Sequence, residues 1–255
     1  MHFSNFLTCT LLSGVSSGFG VLVKRASLTK VSNWGSNPAS LNMYIYVPST
    51  LAASPGLVVA CHGASGNAQQ EFTSTPYATL ADQLGFIVVY PESPVGAWDA
   101  TSKASLTHNG GGASQSIANM ASYAISTYKV NTAKVGNTMA GVYPDIFKSA
   151  VIYSAGYSGN IRSMYPSWTG TYPKVQTYLG SLDTIIGSSS FNTTLAAWAS
   201  VFGYDTIPDT VQQNTPVSGW ITYVYGSQLQ GTWAVGVGHP VSVQGAQDAK
   251  WFGIA

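Results

Sequence analysis

Residues 56–63, GLVVACHG, and residues 85–92, GFIVVYPE, are two unbroken apolar runs that each end in turn residues. Continuous apolar runs of this length are typical of strands that are buried on both faces of a parallel sheet. The segment between them, YATLADQLG at 77–85, has the apolar spacing of a short amphipathic helix, and Gly85 suits its C-terminal end. A strand, a helix and a second strand in this order predict a parallel βαβ unit.

The rest of the chain continues this alternation of strand-like and helical patterns. Strand patterns begin at Met43, Ser149, Lys174, Trp220 and Thr232, and helical patterns cover residues 114–128, 191–202 and 247–252. No repeat, linker or low-complexity segment divides the 255 residues. We therefore predict one α/β domain over residues 26–255, an α/β sandwich with a mostly parallel central sheet.

Charge is scarce in this sequence. Only 7% of the residues are charged and the formal net charge is +1. This composition argues against nucleic acid as a partner, because binding to phosphates depends on clustered Lys and Arg. His62, His108 and His239 stand apart from other metal-ligating residues, so no metal site is predicted, and no motif indicates a cofactor. An uncharged polar surface instead favours a secreted protein that handles neutral polymers.

Residues 1–25 have the features of a secretory leader. An apolar stretch is followed by small residues and then by the dibasic pair Lys24-Arg25, a sequence that secretory-pathway proteases cut. We therefore expect a signal peptide and short pro-segment over residues 1–25, no membrane partner, and an extracellular protein. Asn192 begins an acceptable N-glycosylation sequon, Asn-Thr-Thr, which fits secretion. Cys61, inside an apolar run, is interpreted as a buried and inert thiol.

Two residues suited to acid–base chemistry follow late strand patterns. Asp183 comes directly after the pattern KVQTYLGS, in a Gly/Ser turn, and His239 lies in the turn after the last strand pattern. In an α/β-hydrolase fold the acid and the base occupy such strand-end loops and follow the nucleophile in the order Ser, Asp, His. Each residue taken singly is also compatible with a structural role in its loop. Together they are candidates for the acid and the base of a hydrolase.

The nucleophile motif of that fold is missing. The pentapeptide G-x-S-x-G occurs nowhere in the chain, and the nearest sequences, GASGN at 63–67, GYSGN at 156–160 and IYSAG at 152–156, lack its spacing or its first glycine. Residues 134–147, KVGNTMAGVYPDIF, join the start of a strand to a pattern that is typical of the middle and end of a helix. The rest of that strand, and the turn that should follow it, cannot be found between the two patterns.

Several segments of the chain match a known pattern: NMYIYVP at 42–48, GFIVVYPESP at 85–94, WDATSKASLTHNGGG at 98–112, GVGHP at 236–240 and the terminal WFGIA. With them, almost all of the chain after residue 25 resembles the fungal acetylxylan and feruloyl esterases of carbohydrate esterase family one. The resemblance implies an α/β-hydrolase-like fold and a secreted Ser-His-Asp enzyme that removes ester groups from acetylated or feruloylated xylan. We expect the protein to be a monomer. It further implies that Asp183 is the acid, that His239 is the base, and that the backbone around His62, Gly63 and Ala64 lies at the oxyanion hole.

The chain departs from that family in three places. The strand and elbow after Val135, roughly a dozen residues, are missing, and a Cys- and Trp-containing loop after Gly159 is shortened. Ala64 and Ala97 stand where the family tends to have cysteines, as expected if a disulfide has been lost. Three interpretations stay open. The chain is a faulty gene model or splice form of an acetylxylan-type esterase, inactive or impaired as written; or it is a non-catalytic relative that binds polysaccharide; or Ser154 or Ser158 replaces the nucleophile.

Overall fold

The structure, a computed structural model, describes residues 26–136, 139–157 and 159–255. The predicted signal peptide and pro-segment, residues 1–25, lie outside the described residues. The strands are β1 (Thr29–Val31), β2 (Asn42–Tyr46), β3 (Leu57–Val59), β4 (Ile87–Glu92), β5 (Val135–Gly136), β6 (Ser149–Tyr153), β7 (Lys174–Gly180), β8 (Thr210–Gln213), β9 (Ile221–Tyr225) and β10 (Leu229–Ala234). They form one sheet in the order β1-β2-β4-β3-β5-β6-β7-β10-β9-β8.

The middle of the sheet is parallel and its two edges are antiparallel. The six neighbours β4, β3, β5, β6, β7 and β10 pair in parallel, while β1 and β2 on one side and β9 and β8 on the other pair antiparallel. The prediction of a mostly parallel central sheet is therefore confirmed. All six parallel strands run in the same direction, so their carboxyl ends face the same edge of the sheet, and in α/β sheets that carboxyl edge is where active sites lie.

Helices cover both faces of the sheet. Within the described residues they are α1 (Ala68–Ser74), α2 (Tyr77–Leu84), α3 (Ala113–Tyr128), α4 (Ser189–Phe202) and α5 (Gly245–Trp251). Side chains alternate between the faces: Val58 packs with residues of α1, α2 and α5, whereas Leu57 and Val59 pack with α3. In the same way Ala150 faces α4 and Val151 faces the opposite layer. In the described part of the chain, no helix is long and apolar enough to cross a membrane.

Three elements were not predicted from the sequence, and each lacks a strong apolar pattern. β1 is three residues long, and all four residues of β8 are exposed at the edge of the sheet. α1 begins at Asn67, whose side-chain oxygen accepts a hydrogen bond from the backbone N–H of Gln70 at 2.9 Å. Cys61 is half-buried and packs beside the α3 core, so its thiol is less buried than predicted.

β5 differs from its neighbours in length. Val135 and Gly136 pair with Leu57 and Val58 of β3, and Gly136 also pairs with Ser149 of β6. The sequence predicts that this strand is missing together with the elbow, and the structure keeps two of its residues in the sheet. Their backbone groups satisfy hydrogen bonds that the flanking strands would otherwise leave unpaired in the protein interior.

The structure of residues 139–147 differs from the prediction made from the sequence. Their pattern is typical of a helix, but they form successive turns, in which Tyr143 N–H donates to Met139 O at 3.2 Å and Phe147 N–H donates to Tyr143 O at 3.1 Å. A helix has a costly first turn, and Pro144 lacks an N–H to continue one. The segment that remains is too short to meet that cost.

Candidate active site

The structure brings Asp183 and His239 together, and we refer to them as the Asp–His pair. His239 Nδ1 lies 2.9 Å from Asp183 Oδ2; the Asp183 side chain is fully buried, and the His239 side chain is 31% exposed. Because the carboxylate is the acceptor, the hydrogen bond assigns the imidazole proton to Nδ1. Nε2 of His239 then has no hydrogen-bond partner among the described residues. A histidine held in this tautomer is able to take a proton from a hydroxyl at Nε2.

Hydrogen bonds hold Asp183 as a carboxylate. Its Oδ1 accepts from the backbone N–H groups of Ile185 at 3.0 Å and Ile186 at 2.9 Å, while Oδ2 accepts from His239. Burial on its own would raise the pKa of Asp183, but the bonds from Ile186, His239 and Ile185 outweigh it, so the pKa lies below its usual value. The ionised carboxylate fixes the orientation of the imidazole and stabilises an imidazolium when one forms.

The ends of β7 and β10 position the Asp–His pair. These parallel strands are in register, with Gly180 opposite Ala234 at their carboxyl ends. In the loops that follow, Leu182 N–H donates to Val237 O at 2.9 Å. A Cβ at Gly180 would lie 2.2 Å from Val237 O, closer than any real contact, so glycine is required for the two loops to approach.

The end of β6 holds the loop that carries His239, a contact that sequence reasoning missed. Val241 N–H donates to Ser154 Oγ at 2.8 Å, and Gln244 N–H donates to Tyr153 Oη at 2.7 Å. Ser154 is buried and has a φ of 44°, which turns the chain sharply at the end of the strand. The segment from His239 to α5 is thus fixed at two points, by the last residue of β6 and by the residue that follows it.

The loop after β3 lies at the same carboxyl edge and contains the predicted oxyanion-hole region. His62 is buried; its Nε2 accepts from Ser93 N–H at 3.2 Å, which places the proton on Nδ1, and Nδ1 donates to Gly63 O at 2.7 Å. Both ring nitrogens therefore support the backbone of the loop. Among the described residues the backbone N–H groups of Gly63 and Ala64 have no acceptor, so they are available to an oxygen of a ligand.

Strand β5 separates the His62 loop from the Asp–His pair in the sheet order, and a nucleophile of this fold follows that strand. β5 ends at Gly136, opposite Ser149, the first residue of β6, whereas β6 continues for five residues to Ser154 at the carboxyl edge. Five residues of strand span about 16 Å, at ~3.3 Å per residue. β5 therefore ends well below the edge at which the Asp–His pair lies.

Comparison with known proteins identifies the family. No family model matches the sequence. Probable acetylxylan esterase A of Neosartorya fischeri is 43% identical over 296 residues, which cover 98% of this chain and 80% of the relative. Acetylxylan esterase A of Aspergillus ficuum is 38% identical over 296 residues, 98% of this chain and 98% of the relative. The chain belongs to the acetylxylan esterase family.

Solved structures agree with the family and with the predicted α/β-hydrolase-like fold, which is confirmed. The acetyl xylan esterase from Aspergillus awamori has a TM-score of 0.87 and 39% identity, covering 90% of this chain and 100% of that chain. The glucuronoyl esterase from Solibacter usitatus, at a TM-score of 0.53 and 12% identity, covers 91% of this chain and 83% of that chain and shares only the fold. The alignment with the N. fischeri acetylxylan esterase is longer than the 255 residues of this chain, so at least 41 of its 296 positions belong to the relative alone.

The other candidate residues lie apart from the Asp–His pair or outside the described chain. Ser154, considered as a substitute nucleophile, is 5% exposed and its Oγ is engaged by Val241 N–H. Ser158 is outside the described residues. Asn192 is exposed in the second turn of α4. In the described ranges no three His, Cys, Asp or Glu residues cluster in a way that would hold a metal ion.

Proposed function

We propose that this chain is the scaffold of a serine-type carboxylic ester hydrolase that removes acetyl groups from xylan in plant cell-wall breakdown, and that it is inactive or impaired as written. The observation that carries the proposal is the length of β5. That strand ends opposite Ser149, about five residues before the edge where a nucleophile would meet the Asp–His pair. The extra positions in the acetylxylan esterase alignment support the absence from this chain of residues that the relative has.

In the complete enzyme His239 acts as the general base. Its Nε2 takes the proton of a serine hydroxyl as the oxygen attacks the acetyl carbonyl, and Asp183 holds the tautomer. The backbone N–H groups of Gly63 and Ala64 stabilise the negative oxygen of the tetrahedral intermediate. His239 then returns the proton to the sugar oxygen that leaves, and water releases acetate from the acyl-enzyme by the same steps in reverse order. The proposal assigns every role in these steps, except that of the serine, to residues that this chain contains.

The test compares the chain as written with one that carries the N. fischeri segment between Val135 and Gly136, using acetate release from acetylated xylan. We expect hydrolysis only in the extended chain, since loss of the nucleophile costs on the order of a million-fold in kcat for a comparable triad. His239→Ala in the extended chain is the control and removes that activity. Comparable rates for both chains would contradict the proposal, and loss of such a rate in Ser154→Ala or Ser158→Ala would identify a substitute nucleophile.

A second candidate substrate is a feruloyl ester. Leu182 and Ile185, on either side of Asp183, are 62% and 73% exposed, and such apolar side chains suit an acyl group larger than acetyl. Feruloyl-ester hydrolysis by the extended chain, in excess of acetyl-ester hydrolysis, would favour this alternative. Binding to insoluble xylan with no hydrolysis by either chain would favour a non-catalytic, polysaccharide-binding role.

The proposal includes the setting of the enzyme. Residues 1–25 are removed as a signal peptide and pro-segment, residues 26–255 form a single catalytic domain, and the extracellular protein is a monomer with a glycan at Asn192. The mass of the secreted protein, its N-terminal sequence and its size in solution test these statements directly.

A further inference from the structure

Two adjoining cavities form a groove along one side of α4, which we call the α4 groove. Their volumes are about 260 and 330 Å³, and both are bordered by Asn192 of α4 and Tyr225 of β9. The first cavity also contacts Trp233, near the end of β10, while Tyr225 pairs with Leu229 at the start of that strand. The groove therefore runs down the side of the sheet, away from the carboxyl edge where the Asp–His pair lies.

The lining of the α4 groove is aromatic and uncharged. Phe191 lines the first cavity, with ring centroids 6.0 Å from Tyr223 and 5.1 Å from Trp233, and the last two rings are half-exposed. None of the described residues that line either cavity carries a charge. Aromatic rings offer large rigid surfaces, and Tyr and Trp add polar atoms at their rims. A neutral ligand with apolar C–H faces and peripheral hydroxyl groups, such as a sugar ring, matches this lining.

Asn192, a candidate site for N-linked glycosylation, lies at the edge of the α4 groove. Its side chain is exposed, borders both cavities, and begins the sequence Asn-Thr-Thr. We propose that Asn192 carries an N-linked glycan whose first sugar residues lie in the α4 groove against Tyr223, Tyr225 and Trp233. The amide nitrogen of Asn192 forms the bond to C1 of the reducing-end sugar and loses a proton. The polyprenyl diphosphate that carried the oligosaccharide leaves with the electron pair of the broken C–O bond, in a transfer that the host's oligosaccharyltransferase catalyses.

Tethering is the reason to assign the groove to a glycan of this chain and not to free polysaccharide. The two cavities are shallow and at or below the lower end of the volumes of small-molecule sites, so a free sugar would bind weakly. A sugar attached to Asn192 has an effective concentration at the groove of the order of mM, whatever its concentration in solution. A weak preference of the rings for sugar is then sufficient to keep the groove occupied. The inference rests on the glycan at Asn192 that the proposed function includes, and goes beyond it by assigning the α4 groove to that glycan. It requires neither the nucleophile nor the Asp–His pair.

The experiment uses the chain secreted from a fungal host, the variant Asn192→Gln, and Tyr223→Ala in both backgrounds. We expect peptide mass spectrometry to find a glycan on Asn192. Endoglycosidase trimming to the first sugar leaves the melting temperature nearly unchanged, whereas Asn192→Gln lowers it. Tyr223→Ala lowers the melting temperature by about 2–4 °C more in the glycosylated protein than in the Asn192→Gln background. Tyr123→Ala, a half-buried tyrosine on α3, is the matched control and costs the same in both.

Three results would overturn the inference. The first is that Asn192 carries no glycan. The second is that Tyr223→Ala lowers the melting temperature equally with and without the glycan. The third is that xylohexaose protects residues 221–234 of the Asn192→Gln variant from hydrogen exchange, which would assign the groove to substrate. Tyr223→Leu replaces Tyr223→Ala if the latter does not fold. Absence of acetate release from any form counts against the proposed function alone, because glycan occupancy and thermal coupling are measured without it.

Discussion

Gly136, the last residue of β5, lies directly opposite Ser149, the first residue of β6. This single pair determines how far the central strand reaches toward the carboxyl edge. β6 and β7 stay paired from Ser149 to Tyr153 of β6. On that side of β5 the sheet therefore extends beyond the level at which β5 ends. The Asp–His pair lies in the loops after β7 and β10, and the end of β6 supports the loop that carries His239. The Asp–His pair is therefore present although β5 has only two residues.

Substitution by alanine should affect the free energy of unfolding in opposite ways at Ser149 and Ser154. Ser149 Oγ is buried without a hydrogen-bond partner among the described residues, whereas Ser154 Oγ accepts from Val241 N–H. Ser149→Ala should leave the free energy of unfolding unchanged or raise it by up to about 1 kcal/mol, because an unpaired buried hydroxyl is removed. Ser154→Ala should lower it by about 1–3 kcal/mol, because Val241 N–H loses its acceptor. Urea denaturation measures both, and equal effects would contradict the assignment.

Gly180 and Gly238 form a second matched pair, in the two loops that carry the Asp–His pair. A Cβ at Gly180 would meet Val237 O at 2.2 Å, while one at Gly238 has no atom closer than Leu182 O at 4.0 Å. Gly180→Ala should separate the loops and cost about 1–3 kcal/mol of unfolding free energy. Gly238→Ala should change it by less than about 0.5 kcal/mol. A similar melting temperature for Gly180→Ala and the unsubstituted chain would show that the loops move apart freely.

The elements that sequence reasoning predicted are those with a dense apolar pattern. β4 is buried along almost its whole length, and α3 places its apolar residues on one stripe over 16 residues, so both are legible from local sequence. β8 has no buried residue and forms only because β9 offers an unpaired edge, which is a tertiary cause. The two-residue β5 also has a tertiary cause, since it forms by pairing with its neighbours β3 and β6.

The candidate site likewise has residues that were predictable from the sequence and a contact that was not. Asp183 and His239 were predictable because each follows a strand pattern in the order that a triad requires. The support of the His239 loop by Ser154 was not, because it joins residues 87 positions apart through one backbone N–H of Val241. Any residue at position 241 other than proline supplies that N–H, so the sequence carries no signal for the contact.

Asp183→Asn tests the tautomer of His239. The new amide keeps an oxygen for Ile185 N–H and Ile186 N–H and presents its NH₂ group to His239 Nδ1, so the imidazole proton should move to Nε2. Nitrogen-15 NMR of labelled histidine distinguishes the two tautomers. We also expect the free energy of unfolding to fall by about 1–3 kcal/mol.

Asp205→Asn is the matched control for that substitution. The Asp205 side chain is exposed and accepts from Ile207 N–H at 2.8 Å, the same local bond that Asp183 makes with Ile185, but it has no histidine partner. The Asp205→Asn substitution should change the free energy of unfolding of the protein by less than about 0.5 kcal/mol. If His239 keeps its proton on Nδ1 in Asp183→Asn, the carboxylate does not determine the tautomer.

Asp248 makes stability depend on pH. It is fully buried on α5 and accepts hydrogen bonds from Tyr77 Oη and Tyr153 Oη, both at 2.8 Å. Burial raises the pKa of Asp248 from 3.8 to about 7, against the opposing effect of the two tyrosine hydrogen bonds. The native state therefore holds a proton between about pH 4 and pH 7 that the unfolded chain releases. The contribution to stability is full below pH 4 and is lost as the pH rises through 7.

Asp248→Asn imitates the protonated carboxyl and should flatten this decline, as measured by urea midpoints at pH 4.5 and pH 7.5. Part of the decline should remain, because burial also raises the pKa of the half-buried Glu71 to about 7. The double variant with Glu71→Gln should remove most of that remainder. A fall in midpoint between the two pH values that is identical in Asp248→Asn and in the unsubstituted chain would place the titrating group elsewhere.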